Sequence, residues 1–116
     1  MGLDLGQDVR DVAVVVSANG EVDSSTVDTF ASSLREALEA ASSHPARKLV
    51  IELDGVTYFG SGGLNAVLAC VEHGTSDGVA VRLVAGNLEV TRPIEVTKLD
   101  NILRPYKTID DAIVDA

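Results

Sequence analysis

The run Val12-Ala13-Val14-Val15-Val16 is apolar and mostly β-branched, and it leads to the turn dipeptide Asn19-Gly20. That pattern predicts a strand folding through a tight hairpin into a short second strand at Glu21-Val22. From Asp23 the period changes. Val27, Phe30, Ala31, Leu34, Ala37, Leu38 and Ala41 recur at helical spacing, with Ser25 and Asp28 three apart as a capping pair and Pro45 as a stop. Lys48 to Leu53 is short and apolar, the pattern of a strand covered on both faces, and Asp54-Gly55 is expected to break it. Leu64, Val67, Leu68 and Val71 return to helical spacing, ended between Gly74 and Gly78, and Val79 to Val84 reads as another buried strand. Strand, helix, strand in that order predicts a right-handed crossover between parallel strands.

After Ala85-Gly86-Asn87 the pattern weakens. Leu88, Val90, Ile94 and Leu99 are helically spaced, but Pro93 damages a helix interior, so this helix is expected to start near Thr91 or to kink. Thr108 with Asp111 three residues on opens a last short helix from Ile109 to Val114. With no internal repeat, low-complexity tract or long linker, residues 1–116 read as one α/β domain. The expected fold is a small mixed sheet, parallel where crossovers join its strands, with helices packed on it.

Composition narrows the function. Apolar residues make up 46% and aromatic residues 3%, so Val, Leu, Ile and Ala must fill the core and base-stacking platforms are nearly absent. With 18 acidic against 9 basic residues, the net charge of −9 disfavours a nucleic-acid partner. The longest apolar run, Ala66 to Val71, is too short to span a membrane, so no membrane partner is expected. A lone cysteine, Cys70, forms no internal disulfide and suits a cytoplasmic setting. One Cys and two separated His offer no metal-ligand spacing, and no cofactor is expected.

The stretch Asp54-Gly55-Val56-Thr57-Tyr58-Phe59-Gly60-Ser61-Gly62-Gly63-Leu64 carries the chemistry: a strand followed by a glycine-flanked serine at a helix start. Ser61 is expected to be that helix's N-cap, where the helix dipole favours a bound or attached phosphate. Capping alone also explains it. Gly62 and Gly63 are poor helix formers, and bare backbone beside Ser61 would let another protein approach its hydroxyl. Gly60 directly precedes Ser61, so the spacing is wrong for a nucleophile elbow, and no Lys precedes the serine as a phosphate-binding loop requires. An enzyme is not expected.

Three blocks together resemble the stand-alone STAS domains typified by bacterial anti-sigma factor antagonists: Gly20-Glu21-Val22-Asp23, Leu49 through Leu64, and Val81-Arg82-Leu83-Val84 with Leu99-Asp100. The resemblance implies a four- or five-stranded mixed sheet flanked by about four helices. It also implies binding to an anti-sigma factor with a histidine-kinase-like ATPase fold, which frees a sigma factor. That partner phosphorylates the serine matched by Ser61 and so breaks the complex; a phosphatase restores it. The resemblance matches Asp23 to an acid of the adjacent partner-binding surface; because Asp23, Ser24, Ser25 and Asn87 all follow strand ends on the side of Ser61, the expected partner-binding face comprises Asp23, Ser24, Ser25, Gly60, Gly62, Gly63, Asn65 and Asn87. The chain departs from the family's Asp-Ser-Ser-Gly pattern with Gly60 in place of Asp and Gly62 in place of Ser. Those departures keep open a second reading, a STAS-like sensor or scaffold outside phosphorylation control that binds a partner or small ligand.

Overall fold

The computed structural model describes residues 2–114. The chain runs β1 (Leu3–Val9), β2 (Val14–Val22), α1 (Val27–Ser42), β3 (Lys48–Phe59), α2 (Ser61–Ser76), β4 (Ala80–Val84), α3 (Leu88–Val96) and α4 (Ile109–Val114). Among the described residues the sheet has four strands in the order β1-β2-β3-β4. β1 pairs antiparallel with β2, whereas β2–β3 and β3–β4 are parallel. This is the mixed α/β sandwich that the periodicity predicts.

Two layers of apolar side chains hold it. Alternation along β2 and β3 sends Val14, Val16, Leu49 and Ile51 to one face, against Phe30, Leu34 and Ala37 of α1, Val67 of α2 and Ile94 of α3. Ala13, Val15, Val50 and Val84 face the other way, onto Ala112 of α4. The aromatic pair Phe30 and Phe59 meets edge to face, with centroids 6.3 Å apart.

Four local expectations are corrected. The hairpin lies between β1 and β2 at residues 10–13, closed by the Arg10 N–H donating to Ala13 O at 2.9 Å, and not at Asn19-Gly20. Its first arm, β1, is an edge strand on which Leu3 and Leu5 pack against the core while Val9 is exposed, so it carries little apolar signal. Asn19-Gly20 and Asp54-Gly55 both lie inside long strands, and they lie opposite one another: Asn19 pairs with Gly55 and Gly20 with Val56. The register shifts on either side of this pairing, as at a bulge. Gly20 sits at φ 117° where its strand crosses Gly2, and a Cβ there would run into the Gly2 carbonyl oxygen. Each dipeptide is a sheet irregularity accommodated by the other, not a strand end.

At α1, Thr26 and not Ser25 is the N-cap residue, because Asp23 to Thr26 closes a turn ahead of the helix. α3 begins at Leu88 and not Thr91; Asn87 N-caps it in extended conformation, and Pro93 falls inside the helix. The short last helix starts as expected, with the Thr108 hydroxyl accepting from the Asp111 N–H at 3.0 Å.

Candidate functional site

β3 ends by handing its chain directly to α2. The Gly60 N–H donates to Val22 O at 3.0 Å, continuing the contact between β3 and β2, while Gly60 O accepts the first helical bond from the Leu64 N–H at 3.2 Å. Gly60 therefore occupies the N-cap position with extended torsions, φ −80° and ψ 175°. Ser61 is not the N-cap as expected but the first helical residue, displaced by one because the sheet contact reaches one residue further. Its side chain is exposed and makes no hydrogen bond among the described residues. The first turn of α2 carries no acidic residue and no side-chain cap, so the positive end of its dipole is uncompensated from within.

Around Ser61 lies a hollow of about 430 Å³. Of the residues singled out in the sequence, Asp23, Ser24, Gly60, Ser61, Gly62 and Gly63 line it, because the β2–α1 turn and the β3–α2 junction leave the same end of adjacent parallel strands. The rest lie off it. Ser25 spends its backbone N–H and its hydroxyl on the Asp23 carboxylate, at 2.9 and 2.6 Å. Those bonds, the hydroxyl's first, hold the Asp23 carboxyl below its ordinary value. Asn65 is exposed on α2. Asn87 is half-buried and donates its amide to Leu53 O at 3.1 Å and Val56 O at 2.7 Å, satisfying β3 carbonyls beyond the reach of the shorter β4.

The three glycines differ. A Cβ on Gly63 would stand 2.7 Å from Val22 Cγ1 and 2.8 Å from the Phe59 ring, so α2 can approach the core only with a bare backbone there. On Gly62 it would press Val27 Cγ2 at 3.0 Å. On Gly60 its nearest neighbours are Tyr58 Cε2 and Val22 O, each at an ordinary 3.4 Å, and the backbone suits any residue.

Tyr58 is the residue that sequence reasoning missed. It lines the hollow and also a neighbouring apolar groove of about 370 Å³ with Phe59, Leu88, Pro93 and Val96. The available signal was its place two residues before Gly60, on the same side of an extended strand. Among the described residues there is no cluster of three metal-ligating side chains, and no helix is long and apolar enough to cross a membrane.

Comparison with known proteins adds a relationship to this geometry. The STAS domain model matches residues 7–112. The anti-sigma-F factor antagonist RsfB of Mycobacterium tuberculosis is 33% identical over 99 residues, covering 85% of this chain and 77% of the relative. The crystal structure of an anti-sigma factor antagonist from Mycobacterium paratuberculosis superposes with a TM-score of 0.86 at 28% identity, covering 98% of this chain and 96% of that one. The Bacillus cell fate determinant SpoIIAA, solved in its phosphorylated form, shares the fold at a TM-score of 0.67 and 16% identity, over 97% and 96% of the two chains.

Proposed function

The chain belongs to the STAS domain family, among its anti-sigma factor antagonists, and we propose that it binds an anti-sigma factor in the cytoplasm, so releasing a sigma factor, under the control of phosphorylation at Ser61. The observation that carries this reading is the Ser61 hydroxyl. It is exposed and unbonded at the first residue of an uncapped helix, in a hollow that also holds the ionised Asp23.

A phosphate on Ser61 adds about −1.5 to −2 charge and three acceptor oxygens. The unbonded N–H groups of α2's first turn favour that anion, so the modification is compatible with the fold. A partner seated over the hollow would have to desolvate the phosphate beside Asp23, which disrupts binding. The partner is an anti-sigma factor with a histidine-kinase-like ATPase fold that is also the kinase; a phosphatase resets the switch. The protein acts by binding and not by turnover.

Gly60 favours a second reading. Its torsions do not require glycine, so the residue beside Ser61 lacks a side chain that the backbone would accept. In that reading the same face binds a partner or small ligand as a sensor or scaffold without phosphorylation.

The test is incubation with ATP and each anti-sigma kinase of the source organism, read by intact mass and peptide mapping. One phosphate on Ser61 with loss of the complex is expected. Stable binding without phosphate selects an antagonist outside phosphorylation control, and no binding selects the sensor or scaffold. In parallel, Ser61→Asp binding as tightly as the unaltered chain would count against the switch.

A further inference from the structure

The space above Gly60 is occupied from within the chain. Tyr58 and Gly60 lie on the same side of the extended chain at the end of β3, and the far end of the Tyr58 ring lies over Gly60. Cε2 is 3.4 Å and Oη 3.6 Å from where a Cβ on Gly60 would stand. The ring therefore reaches along the strand towards α2. Its hydroxyl ends above Gly60, the N-cap residue of α2 and the chain neighbour of Ser61. The residue is 53% exposed, and its hydroxyl makes no hydrogen bond among the described residues.

The charge in the hollow is one-sided, although on its other side Tyr58 borders the groove that Glu89 and Arg92 also line. Neither Lys nor Arg lines the hollow, and the Asp23 carboxylate stands in its wall. Glu21 lies opposite Tyr58 in the register of β2 and β3. An anion at Ser61 thus has no cation in the hollow to pair with. Its donors are the backbone N–H groups of α2 and the hydroxyls of Ser24 and Tyr58. The Tyr58 hydroxyl is carried on a ring with only two side-chain torsions to fix, so it is ordered at lower entropic cost than a long flexible side chain.

We propose that Tyr58 is the positioning residue of the Ser61 site, donating its hydroxyl hydrogen to a phosphate monoester on Ser61 alongside the first-turn N–H groups of α2. This rests on the reading that Ser61 carries a phosphate. It also accounts for the bare position 60: the ring supplies, from two residues upstream, a polar group that a side chain there would otherwise provide.

The experiment installs phosphoserine at position 61 during synthesis and follows the phosphate by ³¹P NMR across pH, in the otherwise unaltered chain and in Tyr58→Phe. A hydrogen bond to the dianion favours it, so the second phosphate proton is expected to leave more readily when Tyr58 is present, by about threefold in the acid constant. The flanking charges, Asp23 and Glu21 on the hollow's side and Glu89 and Arg92 of α3 on the groove's side, are the same in both chains. Tyr58→Phe keeps the ring, and an unchanged melting temperature excludes a structural cause. Superimposable titration curves would overturn the proposal. Because the phosphate is installed without a kinase, failure of Ser61 phosphorylation in the ATP incubation would remove the switch yet leave this titration to decide the role of Tyr58.

Discussion

The two ends of α2 are finished in opposite ways. At its C-terminus the Arg47 guanidinium donates to Ser42 O at 2.7 Å, at the end of α1, and to Gly78 O at 3.2 Å and Asp77 O, at the end of α2. One cation thereby gathers the negative ends of two helix dipoles, and His73 lies in the same last turn. The neighbouring His44 ring bonds to Arg10 O at 2.8 Å and accepts from the Ala46 N–H at 3.0 Å, so that loop is also tied down. At the N-terminus, among the described residues, there is no side-chain cap, no acid in the first turn and no partner for the Ser61 hydroxyl. The contrast separates a joint that serves stability from one left open to another molecule.

The largest expected effect comes from the glycines at the open end. Gly63→Ala puts a methyl against Val22 and the Phe59 ring, and overpacking of that kind costs about 1–3 kcal/mol, read as a lower denaturation midpoint. Gly60→Ala meets only ordinary contacts and should leave the midpoint nearly unchanged. Equal losses at both positions would erase the distinction between a glycine needed for packing and one that is not.

Next in size is a direct comparison of the helix ends. Arg47→Ala removes charge-assisted bonds to carbonyls, but the side chain is exposed, so the expected loss is about 1 kcal/mol. Ser61→Ala breaks no bond and should stay within about 0.5 kcal/mol. Matched denaturation curves measure both. A Ser61→Ala loss as large as that of Arg47→Ala would mean that the serine is part of the scaffold.

Much of the open end was legible in the sequence, for a physical reason. α1, α2, β4 and the first half of β3 bury continuous apolar surface, so their periodicity survives in the residue order. That in turn places Asp23, Ser24 and Gly60 to Gly63 at neighbouring strand ends. The edge strand β1 was hidden because only one of its faces, and only at Leu3 and Leu5, meets the core. Asn19-Gly20 and Asp54-Gly55 misled because each is a turn signal alone, whereas the fold sets them opposite each other in one irregular stretch of sheet. Ser61 was misplaced by one residue because the cap depends on where the contact between β2 and β3 ends, which is a tertiary fact. Tyr58 lies inside the stretch that carries the chemistry, but its residue type signals no role there; only the direction of its ring joins it to the site.

The smallest expected effect concerns Asp23, the one carboxylate among the described residues of the hollow's wall. Its hydrogen bonds from Ser25 act on the charged form and lower the folded-state value below the ordinary 3.8. A depressed carboxyl gives stability that is present above 3.8 and is lost as pH falls through the lowered value, because the unfolded chain takes up the proton first. The residue is only partly buried, so the effect is local: the β2–α1 turn should loosen in acid while the core persists. An NMR titration of the Asp23 carboxyl in Ser25→Ala should show its midpoint moving up towards the ordinary value, with the Ser61 amide sensing the same proton through the shared hollow. If the Ser61 amide follows no titration at Asp23, the two do not share a field. The open end of α2 would then be indifferent to charge at its rim, and the argument for phosphate repulsion there would lose its physical basis.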